Sequence, residues 1–264
     1  MTSIIVLLSS PELVEGLVRF VIGLAIGSFL NVVAFRYPKN NWGGRSKCRS
    51  CRRQLRWFEL VPLVSFIIQG GHCRRCGKAL SWQYPLVELL SGLAAVFLPP
   101  FWFFVALAMI LLSAIDWRLM IIPDELNIFL AAMGILAGVW GLGSFLENYA
   151  EVIAGPTNQF LGRLLAAALG LVLLGLIVFI SRGRAMGAGD VKLAGALGLL
   201  AGWPDIILSL ALGFIVGGIW GAALLITGEG KMKTLVPFGP FLVIGFWLTY
   251  FFGQPLLRWY FSLI

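Results

Sequence analysis

Apolar runs of about 20 residues recur along most of this chain, and each is long enough as an α-helix to cross a hydrocarbon core about 30 Å thick. Because the runs are continuous rather than alternating with polar residues, they exclude a transmembrane β-barrel. Charged residues make up only 12% of the 264 residues, about half of their share in soluble domains. Such a chain cannot cover a water-facing surface, and we predict an all-α polytopic membrane protein.

The apolar runs predict about eight transmembrane helices. They lie near 12–35, 83–98, 101–117, 124–143, 160–181, 190–202, 205–227 and 237–253. The first run is interpreted as a span and not as a signal peptide, because Glu12 and Glu15 stand where a signal peptide carries basic residues.

Basic residues predict the orientation of the chain. Residues 36–78 contain 11 of the 20 lysines and arginines and a single acid, Glu59. Cytoplasmic loops are enriched in Lys and Arg, so we expect this loop inside the cell and the N-terminus outside. Basic residues beside spans match anionic lipid headgroups, so we expect membrane lipids and no nucleic acid as partners. The predicted organisation is a first span (1–35), a basic loop domain (36–82) and a membrane domain (83–264).

All four cysteines lie in the basic loop as two C-x-x-C pairs, and the pattern CRSCRRQLRW at 48–57 returns as CRRCGKALSW at 73–82. Paired knuckles of this kind indicate a four-thiolate structural zinc site, which would fold a small cytoplasmic zinc-knuckle domain and perform no chemistry. Disulfides or a redox pair are alternatives that a cytoplasmic location disfavours. The ligands would be Cys48, Cys51, Cys73 and Cys76, with His72 a spare ligand or, as we prefer, only a polar loop residue.

Carboxylates are the remaining candidates for membrane chemistry, because His72 is the only histidine and lies in the loop. Zinc proteases of the H-E-x-x-H type and Ser-His hydrolases are thereby excluded. Asp116 ends a long apolar run, where it opposes the helix macrodipole and marks a functional position. Asp190 follows Gly187 and Gly189, which permit close approach of another chain. The alternatives are purely structural roles: an ion pair of Asp116 with Arg118 and an N-cap role for Asp190.

The predicted topology places Asp116 and Asp190 on different helices at the same depth. Two such carboxylates brought together share a proton, so that one can activate water while the other polarises a carbonyl. The other two aspartates fit a structural role better. Asp124, after Pro123, and Asp205, after Pro204, are predicted as helix N-caps.

Five motifs in order make the chain resemble the type IV prepilin leader peptidases, a family of membrane aspartic proteases with a G-x-G-D motif. The motifs are GSFLNVV (27–33) with RYP (36–38), the paired C-x-x-C loop, Ile115-Asp116 with Ile122-Pro123-Asp124, MGAGDVKL (186–193) and PFGP (237–240). The resemblance implies Asp116 and Asp190 as the catalytic pair, with Gly187, Gly189, Lys192 and Asp124 as supporting motif residues.

The resemblance further implies removal of short basic leaders from prepilins or pseudopilins of pilus or secretion systems, at the cytoplasmic face of the bacterial inner membrane. It also implies N-methylation of the new N-terminal residue with S-adenosylmethionine, for which no glycine-rich binding motif is present. Two other interpretations stay open. A presenilin-like protease would carry a Y-D motif where this chain has Ile115-Asp116. A proton-coupled membrane transporter with a zinc-folded regulatory loop would use Asp116 and Asp190 as relay carboxylates, and transporters place such carboxylates near mid-membrane.

Overall fold

A computed structural model describes residues 11–38, 43–142, 145, 158–184, 186–228 and 236–262. These residues form α-helices, one short 3-10 helix and two isolated β-bridges. The chain divides into two compact units, Met1–Ile115 (unit 1) and Asp116–Ile264 (unit 2). The α-helices are α1 (Pro11–Arg36), α2 (Val64–Ile68), α3 (Gln83–Phe97), α4 (Pro100–Leu119), α5 (Asp124–Val139), α6 (Gln159–Ser181), α7 (Ala188–Ala201), α8 (Asp205–Ile226) and α9 (Gly239–Phe261).

The predicted all-α membrane fold is confirmed, but the predicted eight spans are not. Five described helices are long and apolar enough to cross a membrane, namely α1, α4, α6, α8 and α9. The apolar runs at 83–98, 124–143 and 190–202 instead form helices of 15, 16 and 14 residues. Helix α7 has nine of its 14 residues buried. Its apolar side chains therefore pack mostly against other parts of the protein, although their hydropathy is also that of a membrane span. Hydropathy cannot separate these two environments.

In unit 1, helices α1 and α3 pack with their backbones in close contact. A Cβ atom at Gly23 would lie 2.5 Å from the Ser91 carbonyl oxygen, and one at Gly27 would lie 2.8 Å from the Glu88 Cα atom. Small residues are the usual means of close helix approach in membranes. The glycine of the GSFLNVV motif therefore brings the following residues of α1 alongside Glu88.

In unit 2, helix α7 is held between α5 and α6. A Cβ at Gly198 would lie 2.5 Å from the Ala166 carbonyl oxygen, and one at Gly134 would lie 2.5 Å from the Leu199 Cβ. The C-terminal end of α7 is capped by Arg163, whose buried guanidinium donates to the Leu199 carbonyl at 2.9 Å and also to that of Leu200. Carbonyls at a helix end lack intrahelical partners, so Arg163 stabilises α7 and fixes its axis.

Candidate active site and metal centre

Asp116 lies at the end of α4, where its carboxylate is buried to 4% exposure. Its Oδ2 accepts a hydrogen bond of 3.1 Å from the backbone N–H of Gly239, the first residue of α9. A Cβ at residue 239 would lie 2.8 Å from that oxygen. Only glycine therefore permits the helix start to approach the carboxylate this closely, and the positive end of α9 faces the negative charge.

Asp190 lies in the first turn of α7 with 8% exposure. Its Oδ2 accepts a hydrogen bond of 3.1 Å from the backbone N–H of Gly187, three residues earlier. The bond satisfies a helix-start donor and turns the carboxylate back over the glycine turn. The predicted N-cap role is thus close to the observed one, although Asp190 reaches back from inside the helix while Gly187 occupies the cap position.

Ile122 joins the surroundings of the two carboxylates. A Cβ at Gly189, beside Asp190, would lie 3.1 Å from the Ile122 Cβ, and one at Gly239, beside Asp116, would lie 3.2 Å from the Ile122 Cδ1. The charge of Asp190 also acts electrostatically on Asp116. Unit 2 therefore brings the two predicted catalytic residues together around one apolar side chain.

Asp124 lies in the first turn of α5, as predicted, but the prediction that it caps the helix is wrong. Both carboxylate oxygens accept from the Lys192 ammonium, at 2.8 and 2.9 Å. The two side chains are exposed, at 61% and 55%. Two of the supporting motif residues thus pair with each other and join the start of α5 to α7.

Asp205 likewise begins its helix, α8, and also makes no side-chain cap there. It is fully buried, and its Oδ2 accepts instead from the backbone N–H of Phe145. The predicted N-cap role is therefore wrong for Asp205 as well. The carboxylate accepts from the Phe145 N–H, 60 residues away in the sequence, and not from the N–H groups of its own helix start.

The four cysteines form a compact cluster in unit 1. Their sulfur atoms all lie within 4.8 Å of one another, and the Cys48 and Cys76 sulfurs are 3.9 Å apart. A tetrahedral zinc ion with Zn–S bonds of about 2.3 Å requires sulfur separations of about 3.8 Å. The cluster therefore fits a four-thiolate metal ion. His72 directs its Nδ1 to the Gly70 carbonyl oxygen at 2.6 Å and is not a member of the cluster.

The sequence repeat of the loop is a repeat of backbone structure. Cys48 N–H donates to the Arg53 carbonyl at 2.8 Å, and Cys73 N–H donates to the Lys78 carbonyl at 2.9 Å. The β-bridges Lys47–Gln54 and His72–Ala79 have the same 25-residue offset. Each knuckle therefore presents its cysteines on the same tight turn.

Backbone donors in the knuckles favour the metal-binding thiolate. Hydrogen bonding from the backbone of Cys76, and next from that of Arg75, lowers the pKa of the Cys73 thiol to about 6. Between the knuckles, burial raises the pKa of Glu59, but the backbone N–H of Arg56 and the Arg53 guanidinium outweigh burial and hold that pKa below its usual value. Glu59 thus stays ionised and ties the 3-10 helix Trp57–Leu60 to the first knuckle.

The two knuckles differ at one strained position, which gives a testable prediction. Arg52 has φ +55° where the second knuckle has Gly77 at φ +66°. A left-handed conformation costs a non-glycine residue about 1–2 kcal/mol. We expect Arg52→Gly to leave the first knuckle as stable or up to about 1 kcal/mol more stable, and Gly77→Ala to destabilise the second by about 1–2 kcal/mol.

Hydrogen exchange of the knuckle amides measures both effects. Nothing lies within 4 Å of a Cβ at Gly77 or at Gly16 in α1, so Gly16→Ala is a control without backbone strain and should not destabilise. Unchanged protection of the second knuckle in Gly77→Ala would contradict the strain explanation.

Sequence reasoning missed several contributors. Gly239 has no predicted role within the PFGP motif, and none is predicted for Arg163. The Gly239–Asp116 hydrogen bond joins residues 123 positions apart, and the Arg163–Leu199 bond joins residues 36 positions apart. Neither contact produces a local sequence pattern. The signal available was the presence of a charged residue, Arg163, within a long apolar run.

Two family profiles match the chain. The Bacterial Peptidase A24 N-terminal domain matches residues 21–102, and the Type IV leader peptidase family matches residues 102–222. The first match contains the cysteine cluster, and the second contains both Asp116 and Asp190. No solved structure matches the chain.

Curated relatives match over nearly the whole length. A prepilin leader peptidase/N-methyltransferase of Pseudomonas aeruginosa is 31% identical, with 96% of each chain covered. Proteins of the same name from Aeromonas salmonicida and Bacillus subtilis are 32% and 29% identical, covering 93% and 92% of this chain and 93% and 96% of their own lengths. The transporter interpretation finds no support among these relatives. The four-cysteine cluster lies in the segment that matches the first profile, and the buried aspartates lie in the segment that matches the second. The chain is therefore a member of the type IV leader peptidase family.

Proposed function

We propose that this protein is a membrane aspartic endopeptidase that removes the basic leader from type IV prepilins or pseudopilins and then N-methylates the new N-terminal residue. The observation that carries the peptidase half is the buried pair Asp116 and Asp190 in unit 2. The names of the relatives, prepilin leader peptidase/N-methyltransferase, support both halves.

The carboxylate pair is suited to peptide hydrolysis. Two adjacent aspartates retain one proton between them, because both cannot ionise at low cost. The ionised member takes a proton from a water molecule as the water oxygen attacks the scissile carbonyl carbon, and the protonated member donates to the carbonyl oxygen. When the C–N bond breaks, the carboxyl group that took the proton from water donates it to the leaving nitrogen. Fixed donors at Gly187 and Gly239 hold each carboxylate in place throughout.

The location follows from the charge pattern. Basic residues lie beside both carboxylates in the sequence, namely Arg118 near Asp116 and Arg182, Arg184 and Lys192 near Asp190. Lys and Arg beside spans favour the cytoplasmic side. Asp116 and Asp190 would then meet the junction between a basic leader and the apolar pilin segment at the cytoplasmic surface of the bacterial inner membrane. The basic loop 36–82 would contact anionic lipids.

Two cofactors complete the proposal. Cys48, Cys51, Cys73 and Cys76 would hold a structural zinc ion, for which their sulfur spacing is suitable. S-adenosylmethionine, when bound, supplies an electrophilic methyl group for the N-terminal amine. Residues of unit 1 would bind this methyl donor.

Gly239 gives a test of how the carboxylate is held. In Gly239→Ala the added Cβ would lie 2.8 Å from the Asp116 Oδ2, so the carboxylate must move and its hydrogen bond must lengthen. Misplacement of a catalytic group by about 1 Å costs about 100-fold in rate. We expect leader cleavage to fall by about that factor, measured as the initial rate at saturating prepilin.

Gly218→Ala is the matched control for this prediction. Gly218 lies in α8 with nothing within 4 Å of an added Cβ, so the same substitution there should leave the rate unchanged. Equal rates for Gly239→Ala and wild type would show that Asp116 tolerates displacement and is not a positioned catalytic group.

The proposed function is tested with the purified protein in detergent and a full-length prepilin, followed by mass spectrometry. We expect loss of the leader, and gain of one methyl group on the new N-terminus when S-adenosylmethionine is present. A mature pilin without a leader controls for nonspecific proteolysis. Prepilins that stay intact would overturn the peptidase proposal, and cleaved but unmethylated pilins would overturn the methyltransferase half.

A further inference from the structure

Unit 1 contains a cleft of about 670 Å³ between α1, the cysteine loop and α3. This volume lies within the range of about 300–1,000 Å³ that small-molecule sites have. Its walls include Ser28 and Asn31 from α1, Cys48 and Cys73 from the loop, and Glu88 from α3. The aspartate pair of unit 2 contributes nothing to these walls, so the cleft is a second candidate site.

Glu88 places a buried carboxyl group without an ion-pair partner in the wall of this cleft. Its side chain is only 7% exposed, and no ion pair links it to a described lysine, arginine or histidine. The backbone N–H of Leu63 donates to its Oε2 at 2.9 Å, and Ser28 lines the same cleft. This neutral donor orients the carboxyl group but provides no positive charge to balance its ionised form. A buried charge in this state favours a cationic ligand.

Asn31 supplies an unused acceptor beside it. This residue is 1% exposed, and its Nδ2 donates to the Tyr84 carbonyl at 3.1 Å. Its Oδ1 accepts from none of the described residues. Buried polar atoms without partners are rare and costly. The Asn31 Oδ1 is therefore suited to accept a hydrogen bond from a ligand in the cleft.

The other lining residues suit a ligand that carries a purine ring and a carboxylate besides its positive charge. Phe35 and Tyr84 pack against each other with ring centroids 4.8 Å apart, Arg49 lies over the Phe35 ring, and all three line the cleft. They give the cleft an aromatic part of its wall, which suits a purine. Arg45, Lys47 and Lys78 also line the cleft and offer positive charge for a carboxylate. Aromatic, anionic and cationic groups thus all face one cavity.

We infer that this cleft binds S-adenosylmethionine, with the Glu88 carboxylate facing the sulfonium ion. A sulfonium carries a positive charge but no hydrogen to donate, so it calls for a charged partner whose hydrogen bonds are already provided by others. Glu88 has that property. The inference rests on the methyltransferase half of the proposed function and gives that half a place in unit 1.

The test is direct binding, measured by isothermal titration calorimetry on the full-length zinc-loaded protein in detergent. In Glu88→Gln we expect the dissociation constant of S-adenosylmethionine to rise by about tenfold or more, as loss of a charged partner requires. S-adenosylhomocysteine lacks the transferable methyl group and therefore the sulfonium charge, but keeps the adenosine and amino-acid groups, so its dissociation constant should change far less. Zinc content and thermal unfolding verify that the variant is folded.

Glu125→Gln is the matched control, because Glu125 is an exposed residue of α5 in unit 2. It should bind both ligands as wild type does. If Glu88→Gln binds S-adenosylmethionine as tightly as wild type, or loses both ligands equally, the assignment of Glu88 to the sulfonium is overturned. If wild type itself binds neither ligand, the methyltransferase half of the proposed function fails instead.

Discussion

Replacing Asp116 or Asp190 with asparagine is expected to reduce leader cleavage by about 10²- to 10⁴-fold, the contribution typical of a general acid or base. Asparagine has nearly the shape of aspartate and keeps an oxygen that can accept from the Gly239 or Gly187 N–H. The substitution therefore removes proton transfer while leaving the buried packing in place. Loss of the leader, followed by mass spectrometry under single-turnover conditions, gives the rate.

The double variant sharpens this prediction. Because the two carboxylates act as one unit, Asp116→Asn combined with Asp190→Asn should lose little more activity than either change alone. Independent contributions would instead multiply. A double variant that is slower than each single variant by the full product of their effects would show that the residues do not form a pair.

Asp124→Asn serves as the matched control, with the same chemical change at another helix start in unit 2. Asp124 forms an exposed ion pair with Lys192, and such pairs are worth at most about 1 kcal/mol. Cleavage should therefore change by less than about fivefold. If Asp124→Asn abolished cleavage while Asp116→Asn or Asp190→Asn remained active, the catalytic assignment would pass to Asp124.

The helix-end carboxylates were predictable because their signal is local. An aspartate that ends an apolar run, or follows two glycines, can be recognised from sequence. The predicted pairing of Asp116 with Asp190 assumed eight alternating spans, which are not confirmed. Support for the pairing comes instead from the approach of Ile122 to both Gly189 and Gly239 in unit 2. The cysteine cluster was predictable for a similar reason, since the 25-residue repeat indicates that both knuckles have one structure.

The remaining site features depend on contacts between distant segments, which sequence patterns do not encode. The Asp124–Lys192 pair spans 68 residues and the Asn31–Tyr84 hydrogen bond spans 53. Local rules assigned Asp124 to a helix cap because no other partner was visible. Likewise, hydropathy predicted a span at 190–202, although the segment forms a helix of 14 residues that is mostly buried.

Removal of the metal is expected to have the largest effect on unit 1. The loop at 43–82 has only one α-helix of five residues and a 3-10 helix of four, so it contains little regular structure to hold it without a metal ion. Binding of structural zinc contributes about 10–16 kcal/mol in small zinc domains. We expect Cys73→Ser to lower bound zinc, measured by elemental analysis, from one ion per chain to less than about a tenth.

Hydrogen exchange of the loop should report the consequence, because the amides that close each knuckle, such as Cys48 N–H to Arg53 and Cys73 N–H to Lys78, lose protection once the metal is gone. His72→Ala is the control, since His72 adjoins Cys73 but bonds to the Gly70 carbonyl, and it should keep a full complement of zinc.

Because Cys48 and Cys73 line the cleft beside Glu88, the metal-free protein should also lose affinity for S-adenosylmethionine. Retention of both zinc and knuckle protection in Cys73→Ser would contradict the four-thiolate site, whereas loss of zinc with unchanged S-adenosylmethionine affinity would separate the metal from the cleft.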